Sequence, residues 1–416
     1  MRFVHAADIH LDSPLKGLSR YEGAPAEQIR EATRRALENL VELCLEENAS
    51  FLLIAGDVYD GEWKDYATGL FFAKQMSRLR EAAIPVVLVR GNHDAASRIA
   101  KRLPLPSNVV ELGSRRPSTH VMDDLGVAVH GQGFATAAVT DDLAAGYPDP
   151  VAGVLNVGLL HTSLDGREGH EPYAPTTLAV LKSRGYDYWA LGHAHAREVV
   201  CEDPWVVFPG NLQGRHARET GPKGATLVTA TDGRIVSVEH RVLDVVRWRE
   251  LRVDVSEAST PADAVERVRA DLEASRGEAE GRLVAARVVL VGTSAAHAQL
   301  VGDPEQWENA IRAVASDVGG EGAWVEKVRF ATRSPIDIAE LAQRDDAIGQ
   351  LVRSLAALRA DPAAMASLCA DVLDLPGELR TGPDALRLDD PDLMASVIED
   401  VEQLLLPRLL AQGDAP

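Results

Sequence analysis

The chain has 416 residues, of which 46% are hydrophobic and 5% aromatic. This length is too great for one ordinary core, and the apolar content excludes a disordered chain, so we expect two or three packed domains. The formal net charge is −20, and −14 of it falls after Glu250. Such acidity excludes a nucleic-acid coat protein that binds by charge alone, so any contact with DNA must be local.

Cysteine usage and hydropathy indicate the compartment. Cys44, Cys201 and Cys369 lie far apart and form no C-x-x-C pair, which argues against a disulfide framework and against a thiolate zinc site. The N-terminus shows no basic stretch followed by an apolar run, and the sequence has no run of ~18 apolar residues. We therefore expect a cytoplasmic protein that does not enter a membrane.

Short apolar runs bounded by polar turns predict buried strands in the first 250 residues. They lie at residues 3–7, 51–55, 85–89, 127–129, 154–160 and 188–191. Helical spacing of apolar residues over 26–48 and 66–82 places helices between the first three strands, which predicts a layered α/β domain. Later runs at 205–208, 225–229 and 235–241 follow one another without helices, so this part is expected to be antiparallel.

A change of pattern near residues 245–250 predicts further domains. Residues 251–330 show a β-α-β-α-β order, and prolines after Pro335 divide a helical region. We predict a first domain over 1–247, a small α/β domain over 248–333 and a helical region over 334–416. Pro407 is expected to interrupt the last helix. Before it, one helical face carries Met394, Val397, Val401, Leu404 and Leu405, and this face either packs on its own chain or docks onto a partner.

Side chains that commonly bind metals follow five of the predicted strands. They are Asp8 and His10; Asp57 and Asp60; Asn92, His93 and Asp94; His161; and His193 and His195. Because ligands of open α/β sheets gather beyond the carboxyl ends of strands, we expect these groups to converge. Carboxylate, amide and imidazole donors without thiolate suit two divalent ions, with manganese expected and iron or zinc as alternatives. Such ion pairs recur where displacement takes place at phosphorus.

The motifs differ in specificity. A lone D-x-H or G-D-x-x-D is ordinary turn chemistry, whereas the ordered combination is specific. The set D-I-H (8–10), G-D-V-Y-D (56–60), G-N-H-D (91–94), His161 and G-H-A-H (192–195) resembles the calcineurin-like metallophosphoesterases. Residues 7–18, A-D-I-H-L-D-S-P-L-K-G-L, resemble the SbcD- and YhaO-type exonuclease subunits of bacterial DNA repair. The motifs cover residues 1–245, and the remainder resembles that subgroup in outline only.

The resemblance implies a fold and a role for each motif residue. The fold is a layered β-sandwich flanked by helices, followed by a small α/β capping domain and a helical C-terminal region. The resemblance assigns the first metal to Asp8, His10, Asp57 and His195, and the second to Asp57, Asn92, His161 and His193, so that Asp57 bridges. It makes His93 the general acid. Asp60 would orient His93, although relatives commonly place a histidine at that position.

The resemblance further implies direct hydrolysis by metal-activated water, without a covalent phosphoenzyme. The leading hypothesis is a DNA exonuclease that processes ends in DNA repair. The alternative is a metallophosphoesterase of small molecules, nucleotides or phosphoproteins. A degenerate binding module is disfavoured because every motif position is filled.

Basic residues and partners complete these expectations. Arg98, Arg215 and Arg218 are candidate phosphate contacts, and a solvated charged loop is the alternative for them. The resemblance implies a coiled-coil ATPase of the SMC type as a partner, which would supply positive charge that this chain lacks. It also implies a homodimer formed through helices of the first domain, although the helix faces at 26–48 and 66–82 fit an ordinary core equally well.

Overall fold

The computed structural model describes residues 1–13, 25–60, 66–96, 104–164, 173–361, 364, 367 and 390–413. These residues divide into two compact units. The first comprises Met1–Glu250, Ser275–Ala286 and Glu321–Glu326, and the second comprises Leu251–Ala274, Arg287–Gly320 and Lys327–Pro416. The division into three domains at 247 and 333 stays a prediction.

The first unit contains two six-stranded sheets. Its strands are β1 (Arg2–Ala6), β2 (Phe51–Ala55), β3 (Val86–Val89), β4 (Val109–Glu111), β5 (Ser118–Met122), β6 (Val127–Gly131), β7 (Leu155–His161), β8 (Tyr188–Gly192), β9 (Glu198–Glu202), β10 (Trp205–Phe208), β11 (Gly224–Thr231) and β12 (Arg234–Val242). Its helices are α1 (Ala26–Glu46), α2 (Tyr66–Glu81), α3 (Asn92–Ala96) and α4 (Leu178–Ser183).

The first sheet has the order β12-β11-β1-β2-β3-β4, and the second has the order β5-β6-β7-β8-β10-β9. Strands β1 to β4 are parallel, with Phe3 opposite Phe51 and Leu52 opposite Val86. In the second sheet β6, β7, β8 and β10 are parallel. The carboxyl ends of β1, β2 and β3 therefore lie at one edge of their sheet, and those of β7 and β8 lie together at an edge of theirs.

Successive side chains of each strand point to opposite faces of its sheet, so both faces of the sheets in the first unit carry apolar side chains. On one face of the first sheet, Ile54 and Leu88 pack with Leu40 of α1 and Met76 of α2. On the other face, buried side chains of the first sheet pack against those of the second; they include Phe3, Leu53, Val87, Val129, Val157 and Tyr188. A third apolar cluster, which includes Trp189 and Phe208, covers the far side of the second sheet together with α4. The layered β-sandwich flanked by helices that the sequence predicts is thus confirmed.

The predicted strands and helices coincide with observed elements, and three further strands were not predicted. These are β4, β5 and β9, which are short or polar (V-V-E, S-T-H-V-M and E-V-V-C-E) and have at most three apolar residues in a row. The antiparallel expectation holds for β11 and β12, which pair antiparallel at the β1 edge of the first sheet. It is wrong for β10, which runs parallel to β8 and antiparallel only to β9.

The elements that follow are strand β13 (Val246–Asp254), helix α5 (Pro261–Glu278), strand β14 (Leu283–Thr293), helices α6 (His297–Gly302) and α7 (Pro304–Gly319), and strand β15 (Ala323–Arg333). The three strands form a sheet in chain order. This is the predicted β-α-β-α-β order with one additional short helix. The tail contains α8 (Ile338–Leu341), α9 (Ala347–Ala360) and α10 (Pro391–Gly413).

The last helix differs from the prediction, because α10 continues through Pro407. A proline inside a helix removes the hydrogen bond to the carbonyl four residues earlier, here that of Gln403. In the structure the Gln403 carbonyl oxygen accepts a hydrogen bond from Nε2 of His297 at 3.0 Å instead. The second nitrogen of that imidazole lies 2.8 Å from Oγ1 of Thr332, so the histidine is held in place. The orphaned carbonyl is therefore satisfied and the helix does not need to end.

The apolar face of α10 is divided between burial and exposure. Of the predicted face, Val397 packs within its own chain, against the buried pair of Leu355 on α9 and Ile398 on α10. Val401, Leu404 and Leu405 are 37%, 43% and 39% exposed. The side chain of Met394 lies outside the described residues. The expected face is therefore only partly used within the second unit.

Within the described ranges, no helix is both long enough and apolar enough to span a bilayer.

Candidate metal centre

Loops that leave five strands bring the predicted ligands together. Backbone hydrogen bonds join these loops: Asp8 N donates to Gly56 O at 3.1 Å, and His10 N donates to Asp57 O at 3.0 Å. His193 N, from the loop after β8, donates to both carboxylate oxygens of Asp8 at 3.2 and 2.9 Å. The loops of the two sheets are thereby fixed to each other at the predicted ligands.

The backbone is strained at these same residues. Asp8, His10, Asp57 and His193 have φ values of 51°, 45°, 52° and 102°, in the region that favours glycine. Such conformations cost of order 1–3 kcal/mol each and persist only where the surroundings over-determine them. Strained non-glycine residues gathered in one cluster are typical of a functional site. No sequence pattern signals this strain directly.

Gly91 makes room for the central carboxylate. A Cβ atom at this position would lie 2.2 Å from Oδ1 of Asp57, which real contacts do not allow. The same Asp57 oxygen accepts a hydrogen bond from the backbone N of His93 at 2.9 Å. The glycine of the G-N-H-D motif is therefore required by the close approach of Asp57.

The first predicted ligand set is assembled in the structure. Asp8, His10 and His195 offer donor atoms that all lie within 4.8 Å of one another. Nε2 of His10 lies 3.3 Å from Nε2 of His195 and 3.9 Å from Oδ2 of Asp57. All four residues predicted for the first metal are therefore neighbours.

The second predicted set is assembled around His161. Nε2 of His161 lies 3.4 Å from Oδ2 of Asp57 and 3.0 Å from Oδ1 of Asn92. The ring of His193 lies 5.2 Å from the ring of His161, measured between centroids. Asp8 also groups with Asp57 and His161 within 4.8 Å, so Asp8 is a neighbour of both sets. The assignment of individual ligands to one ion or the other stays a prediction.

Hydrogen bonds fix the ring states of two histidines. Nδ1 of His161 donates to the Ala55 carbonyl at 2.9 Å, and Nδ1 of His195 donates to Oε1 of Glu219 at 2.7 Å. Each neutral ring therefore presents a lone pair at Nε2. Burial lowers the pKa of His161 to about 3 and also lowers the pKa of His195 and of His10, so these imidazoles are neutral near pH 7.

Burial shifts the pKa values of the two carboxylates Asp8 and Asp57 in the opposite direction, upward. Burial, and then the charge of Asp57, raises the pKa of Asp8 well above its ordinary value. Burial likewise raises the pKa of Asp57 to about 6. Without a cation, protonation relieves the cost of burying these charges; a bound cation would instead let both carboxylates stay charged at neutral pH.

Divalent cations fit these donors. Once His161 donates through Nδ1, its Nε2 lone pair and the Asn92 oxygen face each other at 3.0 Å, and this arrangement of two acceptors suits a cation that both of them bind. The donor set of carboxylate, amide and neutral imidazole, without thiolate, suits first-row divalent ions.

His93 and Asp60 form a hydrogen-bonded pair beside the ligands. Nδ1 of His93 lies 2.9 Å from Oδ1 of Asp60, and Ser13 Oγ donates to Oδ2 of Asp60 at 2.6 Å. The hydrogen bond to Asp60 raises the pKa of His93, against the effect of burial. Burial acts to raise the pKa of Asp60, but the imidazole of His10, whose Nδ1 lies 3.7 Å from Oδ1, and the hydrogen bonds from His93 and Ser13 outweigh burial and hold the pKa well below its usual range. The side chain of His93 is 38% exposed and thus accessible from solvent.

Asp94 has a structural role that the motif did not reveal. Its Oδ1 accepts a hydrogen bond from Tyr59 N at 3.0 Å and its Oδ2 accepts one from Gly91 N at 3.1 Å. It therefore joins the loop after β2 to the loop after β3.

The three basic residues predicted as DNA contacts differ from one another in location and exposure. Arg98 lies outside the described residues. Arg218 is exposed, as a phosphate contact or a solvated loop would require. Arg215 has a side chain only 15% exposed; its guanidinium lies 3.2 Å from Oε1 of Glu219 and 3.9 Å from Oδ2 of Asp60. For Arg215 the solvated-loop interpretation is wrong, because ion pairs hold it beside the candidate ligands.

Glu219 was missed by the sequence analysis. It is buried and receives a hydrogen bond from the candidate ligand His195. Burial acts to raise its pKa, but the hydrogen bond from His195 and the charge of Arg215 outweigh burial, so the pKa is lowered. A glutamate in the basic stretch R-H-A-R-E-T offered one signal, since a lone acid among bases in a loop often forms an ion pair.

Comparisons with known sequences show which family the chain is similar to. The profile of the calcineurin-like phosphoesterases matches residues 1–197, and the profile described as the middle domain of the metallophosphoesterase YhaO matches residues 248–333. The chain is 36% identical over 298 residues to the "Uncharacterized metallophosphoesterase YhaO" of Bacillus subtilis (strain 168), which covers 71% of this chain and 72% of that protein. It is 29% identical over 287 residues to the "DNA double-strand break repair protein Mre11" of Methanopyrus kandleri, covering 61% of this chain and 59% of that protein.

Two solved structures share lower similarity. TT1561 of Thermus thermophilus has a TM-score of 0.33 at 15% identity, over 55% of this chain and 93% of that one. A dimetal phosphatase from Danio rerio has a TM-score of 0.37 at 13% identity, over 59% of this chain and 97% of that one.

The isosteric substitution Asp57→Asn tests whether the neighbouring buried carboxylates Asp8 and Asp57 destabilise the metal-free protein. It removes one of two neighbouring buried charges, so we expect the melting temperature of the metal-free variant to rise by roughly 2–4 °C, the shift that about 1 kcal/mol produces in a domain of this size. Excess manganese should raise the melting temperature of the wild type but not that of the variant. The exposed substitution Asp124→Asn serves as the control and should leave both results unchanged. A variant that has a lower melting temperature than the wild type and is still stabilised by manganese would contradict this prediction.

Proposed function

The chain belongs to the calcineurin-like phosphoesterases, and on that premise we propose that it hydrolyses phosphodiester bonds at the ends of DNA, in the processing of ends during repair. The chain is a metallophosphoesterase and hence a hydrolase. The observation that carries the proposed reaction is the His93–Asp60 hydrogen bond of 2.9 Å beside a cluster of buried metal donors. A proton donor beside a cation site suits phosphoester hydrolysis.

The candidate ligands form two sets, one for each proposed cation. We assign one cation to Asp8, His10, Asp57 and His195 and the other to Asp57, Asn92, His161 and His193, with manganese as the expected ion because the donors are oxygen and nitrogen. When bound, such ions lower the pKa of water and neutralise charge that develops on phosphoryl oxygens. The strained loops and their backbone hydrogen bonds keep the donors pointed into the site, so little reorganisation is needed.

His93 supplies the proton for the leaving oxygen. Asp60 accepts from Nδ1 of His93, which leaves Nε2 as the ring position that transfers a proton. The raised pKa keeps His93 protonated closer to neutral pH, as a general acid requires. Asp60 fulfils the orienting role that relatives commonly give to a histidine, and Ser13 fixes the other carboxylate oxygen.

Two observations support DNA as the substrate. One is the likeness to the archaeal Mre11, a protein named for repair of DNA double-strand breaks, of whose length this chain covers 59%. The other is the basic pair Arg215 and Arg218 in the loop after β10, with Arg215 beside His195. A local basic group can place one backbone phosphate near the cations although the whole chain is acidic.

The substitution His93→Ala tests the reaction and the substrate together. We expect the wild type with manganese to degrade linear DNA, and we expect a loss of about 10²- to 10⁴-fold in the variant, since one general acid contributes this much. The rate of DNA loss is measured by gel or by release of nucleotides, with a generic phosphodiester and a phosphomonoester in parallel. His120→Ala on β5, outside the cluster, is the matched control and should keep full activity.

Other outcomes would change the conclusion. Efficient hydrolysis of the monoester with DNA left intact would favour the alternative substrates, small molecules, nucleotides or phosphoproteins. Full DNA cleavage by His93→Ala would remove His93 from the mechanism.

The exposed Arg218 allows a separate test of DNA contact. If Arg218 contacts a phosphate, Arg218→Ala weakens DNA binding and lowers the slope of log K against log salt by about 1. Arg234→Ala, which removes an exposed charge at the β11–β12 turn, is the control. Binding is measured by fluorescence anisotropy over a series of salt concentrations, and an unchanged slope would exclude Arg218 as a contact.

We also propose a coiled-coil ATPase of the SMC type as a partner that docks on the exposed part of α10. Val401, Leu404 and Leu405 lie at helical spacing and remain exposed, as an amphipathic docking helix would present them. An ATPase would also supply the positive charge for DNA that this chain lacks. The homodimer stays a prediction; on α2, Tyr66 and Leu70 are exposed.

The double substitution Leu404→Glu and Leu405→Glu tests this docking. We expect it to abolish co-elution with a co-expressed coiled-coil ATPase in size-exclusion chromatography, because two charges cannot be buried in an apolar groove. Val236→Glu, at a side chain on β12 that is 59% exposed, is the control for the added charge. Unchanged co-elution of the double variant would place the contact elsewhere.

A further inference from the structure

We propose that Glu219 is a positioning residue that holds His195 as a metal ligand, so that the loop after β10 helps to build the first cation site. The inference rests on the proposed two-metal function and adds a residue that the motifs do not contain. His195 is one of the donors grouped with Asp8 and His10. Glu219 lies behind it, on the side away from His10.

The contact determines which nitrogen of His195 faces the cation. Oε1 of Glu219 lies 2.7 Å from Nδ1 of His195, and a carboxylate of this kind accepts, so Nδ1 carries the proton. Nε2, which faces Nε2 of His10 at 3.3 Å, is then left with its lone pair. Without an acceptor behind the ring, the proton could sit on either nitrogen, and the ring could rotate.

The surroundings of Glu219 require a carboxylate. Oε1 also accepts from the guanidinium of Arg215 at 3.2 Å, while Oε2 accepts from Nδ2 of Asn211 at 3.0 Å and from the backbone N of Arg215 at 2.7 Å. Both oxygens therefore face donors. An amide in place of the carboxylate would turn its NH₂ group toward one of these donors. Neither the NH₂ group nor that donor would then have an acceptor.

The loop that carries Glu219 is itself fixed. Gln213 accepts hydrogen bonds from Val245 N and Val246 N at 2.8 and 3.2 Å, and the indole of Trp248 donates to Gly214 O at 2.9 Å. On the other side Nζ of Lys223 donates to the backbone oxygen of His195 at 2.7 Å. Glu219 is therefore held by a rigid segment, which a residue that orients a ligand requires.

The substitution Glu219→Gln tests this role through metal binding rather than activity. Partners of this kind typically contribute about 10- to 100-fold in metal affinity. Titration calorimetry with manganese should therefore show two ions bound to the wild type, and in the variant one ion weakened by about this factor and the other essentially unchanged. Glu239→Gln removes the same charge from a largely exposed position on β12 and should match the wild type.

A second measurement does not depend on metal. In the metal-free protein labelled with ¹⁵N-histidine, long-range proton–nitrogen spectra should show the Nδ1–H form of His195 in the wild type and a mixture of both forms in Glu219→Gln. If the variant does not fold, Glu219→Asp, which keeps the charge but withdraws the oxygens, should show the same changes to a smaller degree.

The outcomes separate this inference from the proposed function. Two ions of unchanged affinity in the variant, both ions weakened equally, or an Nε2–H form in the wild type would overturn the role of Glu219 alone. A wild type that binds no pair of ions would overturn the two-metal function and the inference with it. One weakened ion together with the tautomer change would support both.

Discussion

The structure depends on the placement of two carboxylates, Asp8 and Asp57, close together in a buried site. The charge of Asp57 adds to the cost of burying Asp8, and the positive charge of Arg215 offsets that cost only in part. Around both carboxylates stand neutral imidazoles and an amide oxygen, which cannot balance negative charge but can bind a cation. The fold therefore supports an arrangement that is unfavourable for the metal-free protein and favourable once divalent ions are bound.

The rest of the first unit holds this arrangement in place. The parallel strands of both sheets end where the ligands are needed, and the loops after them are joined by Asp94, by the backbone of His193 and by close approach at Gly91. Supporting contacts hold the candidate ligands and the proposed acid: Asp60 contacts His93, the Ala55 carbonyl contacts His161, and Glu219 contacts His195. Asp60 and Glu219 both contact Arg215, and so connect the candidate ligand His195 with the proposed acid His93.

Much of this could be predicted from the sequence, and the reasons for the rest are physical. Strands with continuous apolar runs and motif residues at strand ends were predictable, because burial and sheet topology determine both. The short polar strands β4, β5 and β9 were not, since their pairing comes from neighbours rather than from their own residues. Glu219 was hidden because its partner His195 is 24 residues away in the chain, and the buried state of Arg215 was hidden because it depends on Glu219 and Asp60. The course of α10 through Pro407 depended on a histidine more than a hundred residues earlier.

The bond between His297 and the carbonyl of Gln403 has an evolutionary consequence. A proline in the last third of this helix leaves the carbonyl of Gln403 without its usual backbone donor, and an imidazole from α6 donates to that carbonyl in its place. The two positions are thus constrained as a pair. In a lineage that loses the histidine, the proline becomes a burden on the helix, whereas a lineage that first loses the proline frees the histidine to change.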